Sequence, residues 1–224
     1  MPASRGHFCF CLPRAPDTIA PVGITLQQFD QMTARVSGRK PRTAEPAFAP
    51  LPARNASAHK IILGLDPSLR GTGYGVIELT KPQPRVLVQG TIACPAAWPH
   101  SRCLAAIAQH LRDLVRKFAP TVCAVEGLFF AQNLKTAILM GEARGAALAV
   151  LGEAGLEIYE IAPRKVKQAI VGYGAAQKLA VAKMVQRLLQ LPELPAPDAA
   201  DALALALAQA QGQSRYGLSP AKKI

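Results

Sequence analysis

The chain has 224 residues, room for one domain of about 165 residues with a proper core plus an extension. Lys and Arg number 26 against 14 acidic residues, a formal charge of +12, and no uninterrupted apolar run reaches membrane-spanning length. Such a field suits a phosphate backbone better than an anionic membrane, because the predicted helices carry small residues where an interfacial helix would carry an aromatic face.

Residues 1–59 are rich in Pro, Ala and Arg, as in PRAP and GRKPRTAEPAFAPLPAR, and show little periodicity. They predict a mostly disordered extension with room for one short helix around 25–36, read as a solvated tail. The opening MPASRGHFCFCLPRAP has no adequate apolar core for a secretory signal before Pro13 and Arg14. From residue 60 the pattern changes. Runs at 60–65, 73–79 and 85–92, separated by LRGT and KPQP turns, predict an antiparallel meander. Leu104, Ile107, Ala108, Leu111, Leu114 and Val115 then recur at helical spacing, with Arg102, Arg112, Arg116 and Lys117 outward. Residues 121–125 predict a buried strand, 134–151 a helix and 157–161 a fifth strand, a βαβα rhythm that implies parallel strands beside the meander. Further helices are predicted over 163–171, 176–191 and 198–210, the second with a core stripe of Val181, Met184, Val185, Leu188 and Leu189. Residues 212–224 read as a short basic tail. The fold class is therefore α/β, a five-stranded mixed sheet flanked by helices, with the domain spanning 60–211.

Cys9, Cys11, Cys94, Cys103 and Cys123 are odd in number and lack zinc-type or redox spacing, so they read as reduced thiols of a cytoplasmic protein, with Cys123 a small core residue. His7, His59, His100 and His110 fit no ligand pattern. The chemistry resides in four carboxylates. Asp66 ends IILGLD, Glu126 ends TVCAVE, and Asp198 and Asp201 stand in PDAADALALAL. The first two follow buried apolar runs and would sit at the carboxyl ends of strands, where open α/β sheets place their ligands. The other two are three residues apart and share one helix face. Taken singly, Asp66 also fits an Asp-Pro-Ser turn, and Asp198 and Asp201 also fit capping of a helix start. Glu126 resists a bland reading, since a carboxylate after Val-Cys-Ala-Val needs a partner. Taken together, oxygen ligands without His or Cys suit Mg²⁺ or Mn²⁺, and in a basic protein that combination points to phosphodiester chemistry.

A five-stranded mixed sheet with acids on its first strand, fourth strand and a late helix resembles the ribonuclease H-like nucleases. A closer resemblance is to the RuvC family of Holliday-junction resolvases. It spans about 60–211 through ILGLDPSLRGTGYGVI, AVEGLFFAQNLKTAILMGEARGAAL, APRKVKQAIVGYGAAQKLAVAKMV and PDAADALALAL, in the family's order. The resemblance implies that Asp66, Glu126, Asp198 and Asp201 are catalytic and metal-binding. It implies two Mg²⁺ ions per site, with Mn²⁺ able to substitute, and products with 5′-phosphate and 3′-hydroxyl ends. Phe129 would be an aromatic wedge, and Lys167 and Lys178 contacts to the junction strands. A homodimer and the partners RuvA and RuvB are also implied.

Local pattern alone makes Phe129 and Phe130 core residues and leaves Lys135, Arg144, Lys167 and Lys178 on solvated helix faces. Two positions depart from the family: Ser68 where Gly is frequent, and Gly127 where Gln or Glu is common. Three rivals are an actin-like phosphotransferase, a ribonuclease H-like nuclease acting on RNA such as the YqgF relatives, and a noncatalytic junction-binding protein. The first needs a second domain and a second phosphate loop that the chain lacks room for. Retention of four acids, which would repel without metal or protons, argues against the third.

Overall fold

In the computed structural model the described residues are 59–127, 134–212 and 221–224. Residues 1–58 of the extension expected to be disordered, with the short helix at 25–36, and the two phenylalanines at 129 and 130 lie outside them. Along the chain run β1 (Ile61–Asp66), β2 (Gly71–Glu78), β3 (Arg85–Ala93), α1 (His100–Phe118), β4 (Val122–Glu126), α2 (Leu134–Glu153), β5 (Glu157–Ile161), α3 (Pro163–Val171), α4 (Lys178–Leu188), α5 (Pro197–Gly212) and β6 (Lys222–Lys223). They form one sheet in the order β3-β2-β1-β4-β5-β6. The first three strands are the expected antiparallel meander, and β4 and β5 continue it in parallel with β1.

The sheet has six strands where periodicity predicts five. Lys222 and Lys223 pair antiparallel with Glu160 and Tyr159 of β5, and Lys223 Nζ lies 3.2 Å from Glu157 Oε1. Two lysines have no apolar alternation to announce a strand, and charge of this kind suits an edge. Helix α4 begins two residues later than expected, because Gln177 adopts an extended backbone (φ −73°, ψ 151°) before the first helical residue.

Side chains alternate between the two faces of each strand. Leu63 and Leu65 of β1, Tyr74 and Val76 of β2, and Cys123 and Val125 of β4 are buried with Ile107 and Leu111 of α1 and Ala143, Ala147 and Leu151 of α2. Ile62, Ile77, Val122 and Ala124 are buried on the opposite side with Val166 and Ile170 of α3, Val181 and Val185 of α4, and Leu203, Leu205 and Leu207 of α5. The same alternation puts Asp66 and Glu126 on the second face, two residues beyond Gly64 and Ala124.

Helix α5 lies against this face at backbone contact. A Cβ at Gly64 would stand 1.9 Å from the carbonyl oxygen of Ala202, and one at Gly75 would meet Leu203 Cδ2 at 2.6 Å. The helix answers with alanines at 199, 200, 202, 204 and 206, all buried. Small residues on both sides let a helix backbone rest directly on a strand backbone, with close packing and no void. Gly64→Ala should therefore lower unfolding stability by about 3 kcal/mol, through forced separation of α5 from β1. Urea denaturation of the variant beside the wild type measures this, and an unchanged midpoint would refute the close-contact argument.

Candidate active site

Asp66 is the last residue of β1 and is paired with Gly73 of β2. On its other side, Leu65 registers with Val125 of the parallel strand β4, so Asp66 and Glu126 finish adjacent strands on the same face. Helix α5 brings the second pair. A Cβ at Gly73 would lie 2.1 Å from the backbone oxygen of Asp198 and 3.1 Å from its Cβ, and one at Gly71 would lie 3.1 Å from Asp198 Oδ2. At position 73 only glycine lets the helix start descend onto the strand end. Asp201, one turn on, accepts a hydrogen bond from Lys178 Nζ at 2.9 Å.

The turn after Asp66 is held by its backbone. The Thr72 hydroxyl donates to the Ser68 carbonyl at 2.6 Å and accepts from the Ser68 N–H at 3.2 Å, and Thr72 is fully buried. The main chain of residue 68 therefore carries the turn, and the departure from glycine there leaves its bonding intact. Arg70 extends the brace by donating to the carbonyls of Pro95 and Trp98, at 2.7 and 3.1 Å.

Electrostatically the site is over-supplied with negative charge. The Glu126 carboxyl donates to the Asp66 carboxylate, and its pKa is pushed up to about 7, first by burial and then by the adjacent Asp66. Asp66 is also raised, chiefly by burial and next by the charge of Asp201, with Asp198 adding to it. Lys178 is raised by its hydrogen bond to Asp201 and is attracted by Asp66 and Glu126 as well. Its side chain is nevertheless 78% exposed, so the Lys178–Asp201 bridge is of the weak, readily exchanged surface kind.

The structure thus gathers Asp66, Glu126, Asp198, Asp201 and Lys178 in one place. Lys167, on α3, is half-buried and takes no part in the contacts that join the carboxylates. Lys135 is exposed as expected. Arg144 corrects its expectation: it is only 8% exposed, and it donates to the backbone carbonyl of Glu126 and to the Glu160 carboxylate. The sequence signal available was its place between Ala143 and Ala147, where an outward cation would be one position away from the buried stripe. Phe129 lies outside the described residues.

Among the described residues, no three His, Cys, Asp or Glu side chains already stand closely enough to enclose an ion. The donor set nevertheless fits a hard divalent cation. It is all oxygen, and a buried carboxyl raised to about 7 beside a second raised carboxyl marks negative charge that one exposed lysine does not neutralise. A cation would replace the proton that Glu126 shares with Asp66.

Strand order, strand direction and a glycine-seated helix carrying two of the acids place the domain in the ribonuclease H-like class of nucleases. The family model described as crossover junction endodeoxyribonuclease RuvC matches residues 62–209. The chain belongs to the RuvC family, whose members are metal-dependent nucleases. It is 48% identical over 144 residues to the crossover junction endodeoxyribonuclease RuvC of Akkermansia muciniphila, covering 64% of this chain and 86% of that protein. The Bordetella parapertussis protein of the same description is 44% identical over 143 residues, covering 64% and 79%. Among solved structures, Thermus thermophilus RuvC in complex with a Holliday junction substrate superposes with a TM-score of 0.67 at 33% identity, covering 74% of this chain and all of that one. Among the described residues, no helix is long and apolar enough to cross a membrane.

The raised carboxyl has a signed consequence for stability. Glu126 titrates near 4.5 when unfolded and about 7 when folded, so the folded state binds more protons between those values. Its contribution is present below the unfolded value and is lost as pH rises through the folded one. In chelator, unfolding stability should fall by up to about 3 kcal/mol between pH 4.5 and 7, and Glu126→Gln should flatten that slope. Denaturant melts across this range, with and without the substitution, read the difference.

Proposed function

We propose that the protein resolves four-way DNA junctions by hydrolysing two symmetrically placed phosphodiesters, leaving 5′-phosphate and 3′-hydroxyl ends. The observation that carries this is the convergence of four carboxylates on two strand ends and one helix start within a chain of charge +12. A strongly basic protein attracts the DNA backbone, yet a pocket of carboxylates repels the phosphate that enters it. Divalent cations reconcile the two.

Asp66 interacts with Glu126, Asp198 and Asp201 alike and would be the shared ligand, with Glu126 and Asp198 completing the two metal shells and Asp201 binding metal or orienting water. Two Mg²⁺ ions, or Mn²⁺ in their place, would supply an activated water and neutralise charge developing on the departing 3′ oxygen. Glu126 would have to give up its proton to serve as a ligand, which would favour loading as pH rises through about 7. Lys178, released from Asp201, is long and exposed enough to turn to a backbone phosphate, and Lys167 extends the basic track along α3. Phe129 enters as the junction wedge on the resemblance alone. Work in the cytoplasm, with RuvA and RuvB, completes the reading.

A four-way junction has two strands to cut, and a two-fold homodimer matches that symmetry. Helix α2 offers a face for it. Leu134 is 77% and Ile138 52% exposed, and Gly141, Gly145 and Ala149 continue the same exposed stripe. A Cβ at Gly141 or Gly145 would meet nothing within 4 Å, so a second helix could approach closely there. An isologous contact along α2 would place one carboxylate site on each side of the axis.

On a synthetic mobile junction, the protein should make paired symmetric nicks in Mg²⁺ and none in chelator. Asp66→Asn should slow cleavage about a thousandfold or more, the several kcal/mol that metal catalysis supplies, while junction binding holds or tightens. A variant cutting near the wild-type rate would remove Asp66 from the mechanism, and preference for structured RNA over the junction would redirect the substrate assignment. Ile138→Asp should give a folded monomer by light scattering and turn paired nicks into unpaired ones. A monomeric wild type, or a dimeric variant, would remove α2 as the interface.

A further inference from the structure

We propose that Arg144 is a positioning residue that sets the direction of the Glu126 carboxylate by clamping the peptide unit behind it. The proposal rests on the reading of Glu126 as a metal ligand. Glu126 is the last residue of β4, and its side chain projects to the α5 face, whereas Arg144 reaches the strand from α2 on the opposite layer. The Arg144 guanidinium donates through one nitrogen to the Glu126 carbonyl and through another to the Glu160 carboxylate. On the far side of the same peptide bond, the Gly127 N–H donates to the Ile161 carbonyl at 2.9 Å. Both polar atoms of the 126–127 peptide are therefore held, one by a side chain and one by the neighbouring strand.

A peptide plane fixed at both its oxygen and its nitrogen leaves its Cα–Cβ bond little freedom to tilt. Glu126 stands at a strand end, where pairing with β1 has stopped at Val125 and only the β5 side still holds it, so without a second hold on its carbonyl the carboxylate would swing. A planar guanidinium with a fixed fork of donors spans two acceptors at once, which an ammonium cannot do in one geometry. Glu160, with 27% of its side chain exposed, anchors the other prong from β5. The arrangement parallels the outer partners that orient metal ligands, whose loss typically weakens metal affinity or activity by about 10- to 100-fold.

The test uses the full-length protein with Arg144→Lys and with the paired substitution Arg144→Met plus Glu160→Met, which leaves no unpaired charge behind. Mn²⁺ alone, without DNA, is titrated by electron paramagnetic resonance, and junction binding is measured in EDTA. Mn²⁺ affinity should fall about tenfold or more in both variants. Single-turnover junction cleavage should fall at limiting Mn²⁺ and recover at saturating Mn²⁺, with junction affinity in EDTA within about twofold of wild type. Asp66→Asn and Glu126→Gln serve as references. Wild-type Mn²⁺ affinity in the Arg144 variants, with both references impaired, overturns the positioning role and leaves the carboxylate site standing. Wild-type Mn²⁺ affinity in the references too overturns the site and the positioning role together. A variant that loses stability but binds Mn²⁺ normally below its unfolding transition also counts against the proposal, because it assigns Arg144 to the fold alone.

Discussion

The distance between α5 and the β1–β2 ribbon governs the rest of this structure. Gly64, Gly73 and Gly75 remove the side chains that would hold a helix away, Gly64 lying against the backbone of Ala202 and Ala206, Gly73 against that of Asp198, and Gly75 against the Leu203 side chain. Glycine in a strand carries an entropic cost of roughly 0.5–1 kcal/mol relative to alanine, and three of them on two adjacent strands is a substantial local expense. The return is positional. Asp198 and Asp201 come down to the level at which Asp66 and Glu126 leave the sheet. With ordinary side chains at 64 and 73, the same helix would stand farther off and carry its acids out of reach of the strand ends.

Bringing acids together in this way is electrostatically unfavourable, and the protein absorbs the strain by proton sharing and by a lysine rather than by dispersing the charge. Glu126 donates to Asp66, and Lys178 leans on Asp201. Both devices are replaceable. A proton held with a pKa of about 7 leaves readily near neutral pH, and a lysine with a largely exposed side chain exchanges partners at little cost. Neither the proton nor the lysine is a permanent counter-charge to the four acids, in a chain of formal charge +12. A cluster balanced by permanent buried arginines would be more stable and less able to change hands.

The second acid is supported from both layers. Its side chain works on the α5 face, while its backbone is gripped from the α2 face by Arg144 and from the neighbouring strand by Ile161. Strand ends are the least constrained parts of a sheet, and the ends of β1 and β4 are the two that carry Asp66 and Glu126. At the first, the Thr72–Ser68 staple does comparable work through a fully buried hydroxyl. Side chains that never face the cleft thereby bear on its geometry.

The sequence by itself carried the order of the first five strands and the helices between them, the meander-then-parallel topology and the four acids as candidates, because each has a local signature. A β-rich run between turn signals marks β2, helical spacing marks α1 and α4, and a carboxylate closing an apolar run marks Asp66 and Glu126. The shared face of Asp66 and Glu126 follows once their strands pair in register, since alternation has a period of two. Other features needed the tertiary structure. Lys222 and Lys223 form a strand only because β5 offers an unpaired edge. Arg144 looks like a solvated cation until the end of β4 and Glu160 are placed beside α2. The proton between Glu126 and Asp66, and the hold of Lys178 on Asp201, join residues 60 and 23 positions apart in the chain. Pairings of that kind depend on distance in space, and local pattern carries no record of it.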